Sequence, residues 1–269
     1  MSSVQFGAAL AKSVFDEIGP SGTVFLRMLF AALVLMAIWR PRLSGHSRRD
    51  VILVLLFALA LAGMNGTFYA ALDRIPLGVA VTFEFVGPLG VAVFGSRRRL
   101  DLVWVVLAAA GILLLSDFGG ADLDGLGVAL ALIAGAFWAA YILLSARVGQ
   151  AFPGGGGLAL AMMIAVVPLA PFGIAEGGSD LLVLGVLAVG FGVAMLSSAI
   201  PYTLELEALR RLPANVFGVL MSLEPALAAT AGFIVLGEDL VAREIVAILL
   251  VVAASAGATR QATLAPRDV

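Results

Sequence analysis

Residues 51–72 read VILVLLFALALAGMNGTFYAAL and contain no charged side chain. A bilayer core of about 30 Å is crossed by about 20 apolar residues of helix. In lipid the backbone must satisfy its own hydrogen bonds, so such a run has to be helical. The stretch is a transmembrane helix, and the rest of the chain resembles it in character. Of 269 residues, 62% are hydrophobic and 13% charged, and the mean hydropathy is +1.10. Soluble domains carry about 25% charged residues, and their surface-to-volume ratio leaves too large a shell to hide this much apolar side chain. The solvent is lipid.

Working outward from residues 51–72, apolar runs bounded by charge, Gly and Pro predict spans at 1–17, 21–39, 51–72, 76–95, 102–117, 124–146, 156–175, 181–204, 213–236 and 241–258. The expectation is an all-α integral membrane protein with ten transmembrane helices. The first span is weak, because Lys12 sits within about a dozen suitable residues. Either that helix begins upstream of a misplaced start codon, or it is short and covered by its neighbours. No basic n-region with a cleavage site is present, so no cleaved signal peptide is expected.

The arginines orient the bundle. Twelve of the fifteen lie in loops after even-numbered spans or in the C-terminal tail, and only Arg74 and Arg243 follow odd-numbered ones. Positive loops stay inside, which puts both termini in the cytoplasm.

The segment after 51–72 recurs. Ala71-Leu72-Asp73-Arg74-Ile75-Pro76 matches Ala208-Leu209-Arg210-Arg211-Leu212-Pro213 at an offset of 137. At the same offset Pro88 falls on Pro225, Gly95 on Gly232 and Asp101 on Glu238. Five helices per copy is an odd number, so the second copy runs through the membrane upside down. The expected organisation is two inverted five-helix repeats (5+5), residues 1–118 and 119–269. Inverted repeats are the architecture of alternating access, with a site near the midplane where the repeats meet.

Four ionisable residues fall inside spans: Lys12, Arg27, Glu84 and Glu224. Each costs roughly 2.5–3.5 kcal/mol at mid-membrane, and a chain retains such groups where they face a wet cavity or one another. Pro88 cannot donate to the Glu84 carbonyl, nor Pro225 to that of Met221. Each helix break therefore pairs a carboxylate with an under-satisfied carbonyl, a combination suited to an ammonium group or a proton. Desolvation raises a carboxyl's pKa, which makes Glu84 and Glu224 the proton-coupling candidates. Lys12 and Arg27 are candidates for a substrate carboxylate. Asn65, Tyr69, Thr82, Trp138, Tyr141, Tyr202, Met221 and Ser222 lie at similar depth and are candidate cavity residues. Pro201 frees the Ser197 carbonyl and is expected to kink the eighth helix.

Composition also excludes. A net charge of −2 leaves no footprint for nucleic acid. Cysteine is absent and the single histidine, His46, sits in a basic loop, so no metal site and no cofactor is expected. No span interior holds Asp or His, which argues against a membrane-embedded enzyme.

The chain resembles the drug/metabolite transporter superfamily with two EamA-type halves, and in particular the bacterial threonine/homoserine exporter family. The resemblance is densest at Gly7-Ala8-Ala9-Leu10-Ala11-Lys12, at Arg74-Ile75-Pro76-Leu77-Gly78-Val79-Ala80 through Glu84-Phe85-Val86-Gly87-Pro88, and at Ser96-Arg97-Arg98. It continues at Ser197-Ser198-Ala199-Ile200-Pro201-Tyr202 and at Met221-Ser222-Leu223-Glu224-Pro225. It implies ten helices in the bacterial inner membrane and proton-linked antiport of small neutral amino acids such as threonine and homoserine. The same scaffold serves exporters of other metabolites and drugs. A channel remains a further reading, although neither rings of like charge nor a filter sequence is present.

Overall fold

The computed structural model describes residues 14–42, 45–75, 77–95, 99–115, 124–221 and 242–264, together with residues 3, 7, 10, 11 and 223. Among these, regular structure is helical throughout: α1 (Phe15–Trp39), α2 (Arg48–Leu72), α3 (Leu77–Glu84), α4 (Val86–Gly95), α5 (Arg99–Leu115), α6 (Gly125–Ala151) and α7 (Gly156–Gly177). A 3-10 turn (Gly178–Leu182), α8 (Leu184–Ala194), a π turn (Met195–Ala199), α9 (Ile200–Arg211), α10 (Ala214–Met221) and α11 (Ala242–Leu264) follow. Five helical stretches are long and apolar enough to cross a membrane: Phe15–Trp39, Arg48–Leu72, Gly125–Ala151, Gly156–Leu182 and Leu184–Arg211.

The packing is that of a lipid-solvated bundle. Large apolar side chains such as Phe94, Val106, Val167, Phe172 and Leu184 point outward, while the interior is dense in small residues such as Ala31, Ala32, Ala58, Ala131, Ala159 and Ala161. Without a hydrophobic drive between helices, close backbone approach supplies the attraction, and small residues permit it. Helix α1 packs along α7, α2 along α6, α5 along α11, and α4 against α10.

Three interruptions shape the centre. The predicted junction between 1–17 and 21–39 is a single break inside α1, at Gly19 (φ 67°, ψ 172°), followed by Pro20. Only glycine adopts that φ without penalty. The freed Ser21 N–H donates to the Glu176 carboxylate of α7 at 2.7 Å. The predicted span 76–95 is divided between α3 and α4 at Phe85, where Pro88 leaves the Glu84 carbonyl without its helical donor. Here α6 comes against the break: a Cβ on Gly135 would lie 2.6 Å from the Glu84 carbonyl oxygen, and one on Gly87 would overlap the Gly135 carbonyl. Ahead of Pro201 the helix widens into the π turn Met195–Ala199, closed by Ile200 N–H on the Met195 carbonyl. That turn accommodates the proline, and the helix runs on to Arg211 rather than stopping near 204.

Ends are fixed by specific caps. Ser47 and Asp50 form a reciprocal capping box on α2. Asp124 caps α6 by accepting from Leu126 N–H at 2.9 Å and also takes Arg74 at 3.0 Å. The Arg74 hydrogen bond, then the Leu126 amide, hold the Asp124 carboxyl below the ordinary aspartate value. Asp73, beside them, is shifted up, first by partial burial and then by the charge of Glu176. Arg210 ties the end of α9 to the carbonyls of Gly149 (2.7 Å), Phe152 (3.0 Å) and Gly154.

Candidate functional site

The sequence candidates Arg27, Asn65, Tyr69, Tyr141 and Tyr202 come from four helices and meet in one buried network. Arg27 projects from α1 at 8% exposure. Its Nη2 donates to Asn65 Oδ1, and its guanidinium lies over the Tyr69 ring, 5.3 Å from the centroid. No carboxylate among the described residues forms an ion pair with it. Its Nε–H is buried and has no hydrogen-bond partner among the described residues. A buried cation left uncompensated is costly, by several kcal/mol for a fully desolvated ion. Cation–π attraction offsets only about 1–2 kcal/mol of that.

Asn65 is held from its own helix, Nδ2 donating to the Leu61 carbonyl at 2.8 Å. Its amide also faces the Tyr202 hydroxyl of α9, at 3.4 Å from Nδ2 and 3.5 Å from Oδ1. The Tyr202 ring tilts against Tyr141 with centroids 5.5 Å apart, and Tyr141 stacks on Phe57 at the same distance. Tyr141 in turn donates to Glu205 at 2.8 Å. The Tyr202 hydroxyl lies within electrostatic reach of Arg27, Glu205 and Glu84.

Glu84 is half-buried at the last position of α3. Phe85, next to it, packs edge-on against Trp138 at 5.0 Å. Met221 belongs to the same buried cluster as Phe85, Trp138, Tyr141 and Tyr202. Thr82 is buried on α3, one turn from the break. Lys12, Ser222, Glu224 and Pro225 lie outside the described residues.

Sequence reasoning missed Glu205. The hydropathy boundary at 204 assigned it to a loop beside Arg210 and Arg211, whereas the observed helix carries it inward on the face of Tyr202. The i, i+3 spacing of Tyr202 and Glu205 was the available signal.

An apolar groove of about 620 Å³ opens elsewhere, on the flank between α4, α6 and α10. Exposed Val86, Phe94, Leu132 and Leu143 contribute to its lining. None of its described lining residues is charged.

Comparison with known proteins gives concordant results. Residues 125–260 match the model of the EamA-like transporter family. The chain is 45% identical over 261 residues to the threonine/homoserine exporter RhtA of Salmonella typhimurium strain LT2, covering 96% of this chain and 88% of that protein. For RhtA of Escherichia coli strain K12 the identity is 44% over the same coverage. An uncharacterized transporter of Bacillus subtilis, YwfM, is 28% identical over 80% of this chain and 76% of its own. One solved crystal structure superposes with a TM-score of 0.80 over 97% of this chain and 98% of its own, at 19% identity. That likeness concerns the fold.

Proposed function

This chain belongs to the EamA-like transporter family, and from that membership we propose that it is a secondary exporter of small neutral amino acids of the threonine and homoserine kind. It resides in the bacterial inner membrane, with both termini in the cytoplasm, where the arginine-rich loops belong. Its ten helices form two inverted halves, 1–118 and 119–269, that alternate access to a central site. The packing supports this reading. The offset of 137 carries α1 onto α7 and α5 onto α11, and each of these pairs is in contact. The work done is transport rather than catalysis.

The observation that carries the proposal is Arg27: a desolvated guanidinium with an unspent donor, set among aromatic rings and an amide. An arginine fork matches a carboxylate in geometry and charge. The substrate carboxylate docks there, with Lys12 as a second cation for it, and the ammonium group meets a carboxylate at the helix breaks. Thr82, Trp138, Met221 and Ser222 line the passage beside them. Glu84 and Glu224 exchange protons with the ammonium substrate: a neutral carboxyl releases the cation, an ionised one receives it. Binding of either ligand biases the two open states by its differential affinity for them.

Proteoliposomes loaded with threonine test this. Wild-type protein is expected to show saturable counterflow and efflux accelerated by an imposed proton gradient. Glu84→Gln should lose the gradient response. Efflux by Glu84→Gln driven as well as in wild type would refute the coupling assignment, and absence of wild-type counterflow would refute the substrate class.

A further inference from the structure

We propose that Asn65 and Tyr202 read the side-chain hydroxyl of the transported amino acid, at a point on the axis that relates the two halves. This rests on the reading of the site as one for small amino acids. Positions 65 and 202 are separated by 137 residues, the same offset that aligns Ala71–Pro76 with Ala208–Pro213. Residues at equivalent positions of two related copies touch each other only beside the axis between them, as in an isologous interface.

The pair is slack. Hydrogen bonds to a hydroxyl close at about 2.7–3.0 Å, yet Tyr202 stands 3.4 and 3.5 Å from the two amide atoms of Asn65. Both groups are buried, so neither has bulk water as an alternative. A substrate hydroxyl, which donates once and accepts twice, can bond both from alongside the contact. Arg27 sets the register. It bonds the same Asn65 amide from the other side, so a carboxylate on its free Nε edge directs the β- or γ-hydroxyl of a small amino acid toward the pair.

The axial position has a mechanistic consequence. When the halves exchange conformations, Asn65 and Tyr202 exchange places and the contact maps onto itself. The hydroxyl is therefore read alike from either side of the membrane. A site built to bond a hydroxyl rejects the analogue that lacks it far more strongly than an apolar pocket rejects a missing methylene, and here the Tyr202 hydroxyl would be left with only its long contacts to Asn65.

The test compares counterflow of threonine with that of valine, which replaces the hydroxyl by a methyl group. Wild-type protein should prefer threonine by at least about tenfold. Tyr202→Phe keeps the ring against Tyr141 and removes only the hydroxyl; it should bring the ratio to within about twofold. An unchanged ratio in Tyr202→Phe, or a proportional loss of both substrates, would overturn the inference. So would a wild-type protein that exchanges both amino acids equally, a result that needs no variant and leaves the exporter reading intact. A wild-type protein that exchanges no amino acid at all overturns that reading first, and the inference with it.

Discussion

Arg27 is the residue at which stability and function pull in opposite directions. A buried guanidinium with no ion-pair partner among the described residues costs folding free energy, and on the exporter reading the return is a seat for the substrate carboxylate. Arg27→Gln is therefore expected to weaken amino acid binding by about tenfold or more, the worth of a charge-assisted hydrogen bond. The thermal midpoint in detergent should stay level or rise. Scintillation proximity binding and nanoscale fluorimetry on the same preparations check the two halves of this expectation. Arg27 was legible in the sequence because a charge inside an apolar run is conspicuous. Glu205 was not, since Leu204-Glu205-Leu206-Glu207 followed by Arg210-Arg211 has the look of an interfacial helix end. Arg210 of the same helix bonds the carbonyls of Gly149, Phe152 and Gly154, a tertiary event that no local pattern announces.

At the scale of elements, the prolines foretold where helices would be interrupted but not how. Pro88 divides its span into α3 and α4, whereas Pro201 is absorbed by a π turn with the helix unbroken on either side. The difference lies in the neighbours: Gly87 and Gly135 let α6 press against the first break. The Gly19 break escaped notice as a feature of one helix because its partner, Glu176, is 155 residues from Ser21. The caps carry a pH dependence. Asp124 has its folded-state value lowered, so its contribution is present above the unfolded value and is lost as pH falls through the lowered one. Asp73, raised, acts in the opposite sense, contributing at low pH and losing that contribution as pH rises through its folded value. Unfolding midpoints in detergent should therefore fall for wild type below about pH 4, and Asp124→Asn should flatten that fall. An identical acid limb in Asp124→Asn would remove the cap from the account.

For the molecule as a whole, the lipid-facing exterior was plain from composition, and the proposed repeat rests on one offset. The sidedness rests on arginine counts, and the chain provides its own means of checking it, since it contains no cysteine. Ser179→Cys, beside Asp180 in the turn after α7, should react with a membrane-impermeant maleimide in intact cells. His46→Cys, in the loop between α1 and α2, should react only after permeabilisation. The reverse pattern would invert the protein. What no composition could reveal is the meeting of Asn65 with Tyr202, which requires two helices to be placed side by side. In a dimer of identical chains an axial residue faces its own duplicate, amide to amide or phenol to phenol. An amide opposite a phenol requires two separately encoded copies, in one polypeptide or two, so that each can mutate alone. On the inverted-repeat reading, the unlike pair at the centre is younger than the duplication that produced the two halves.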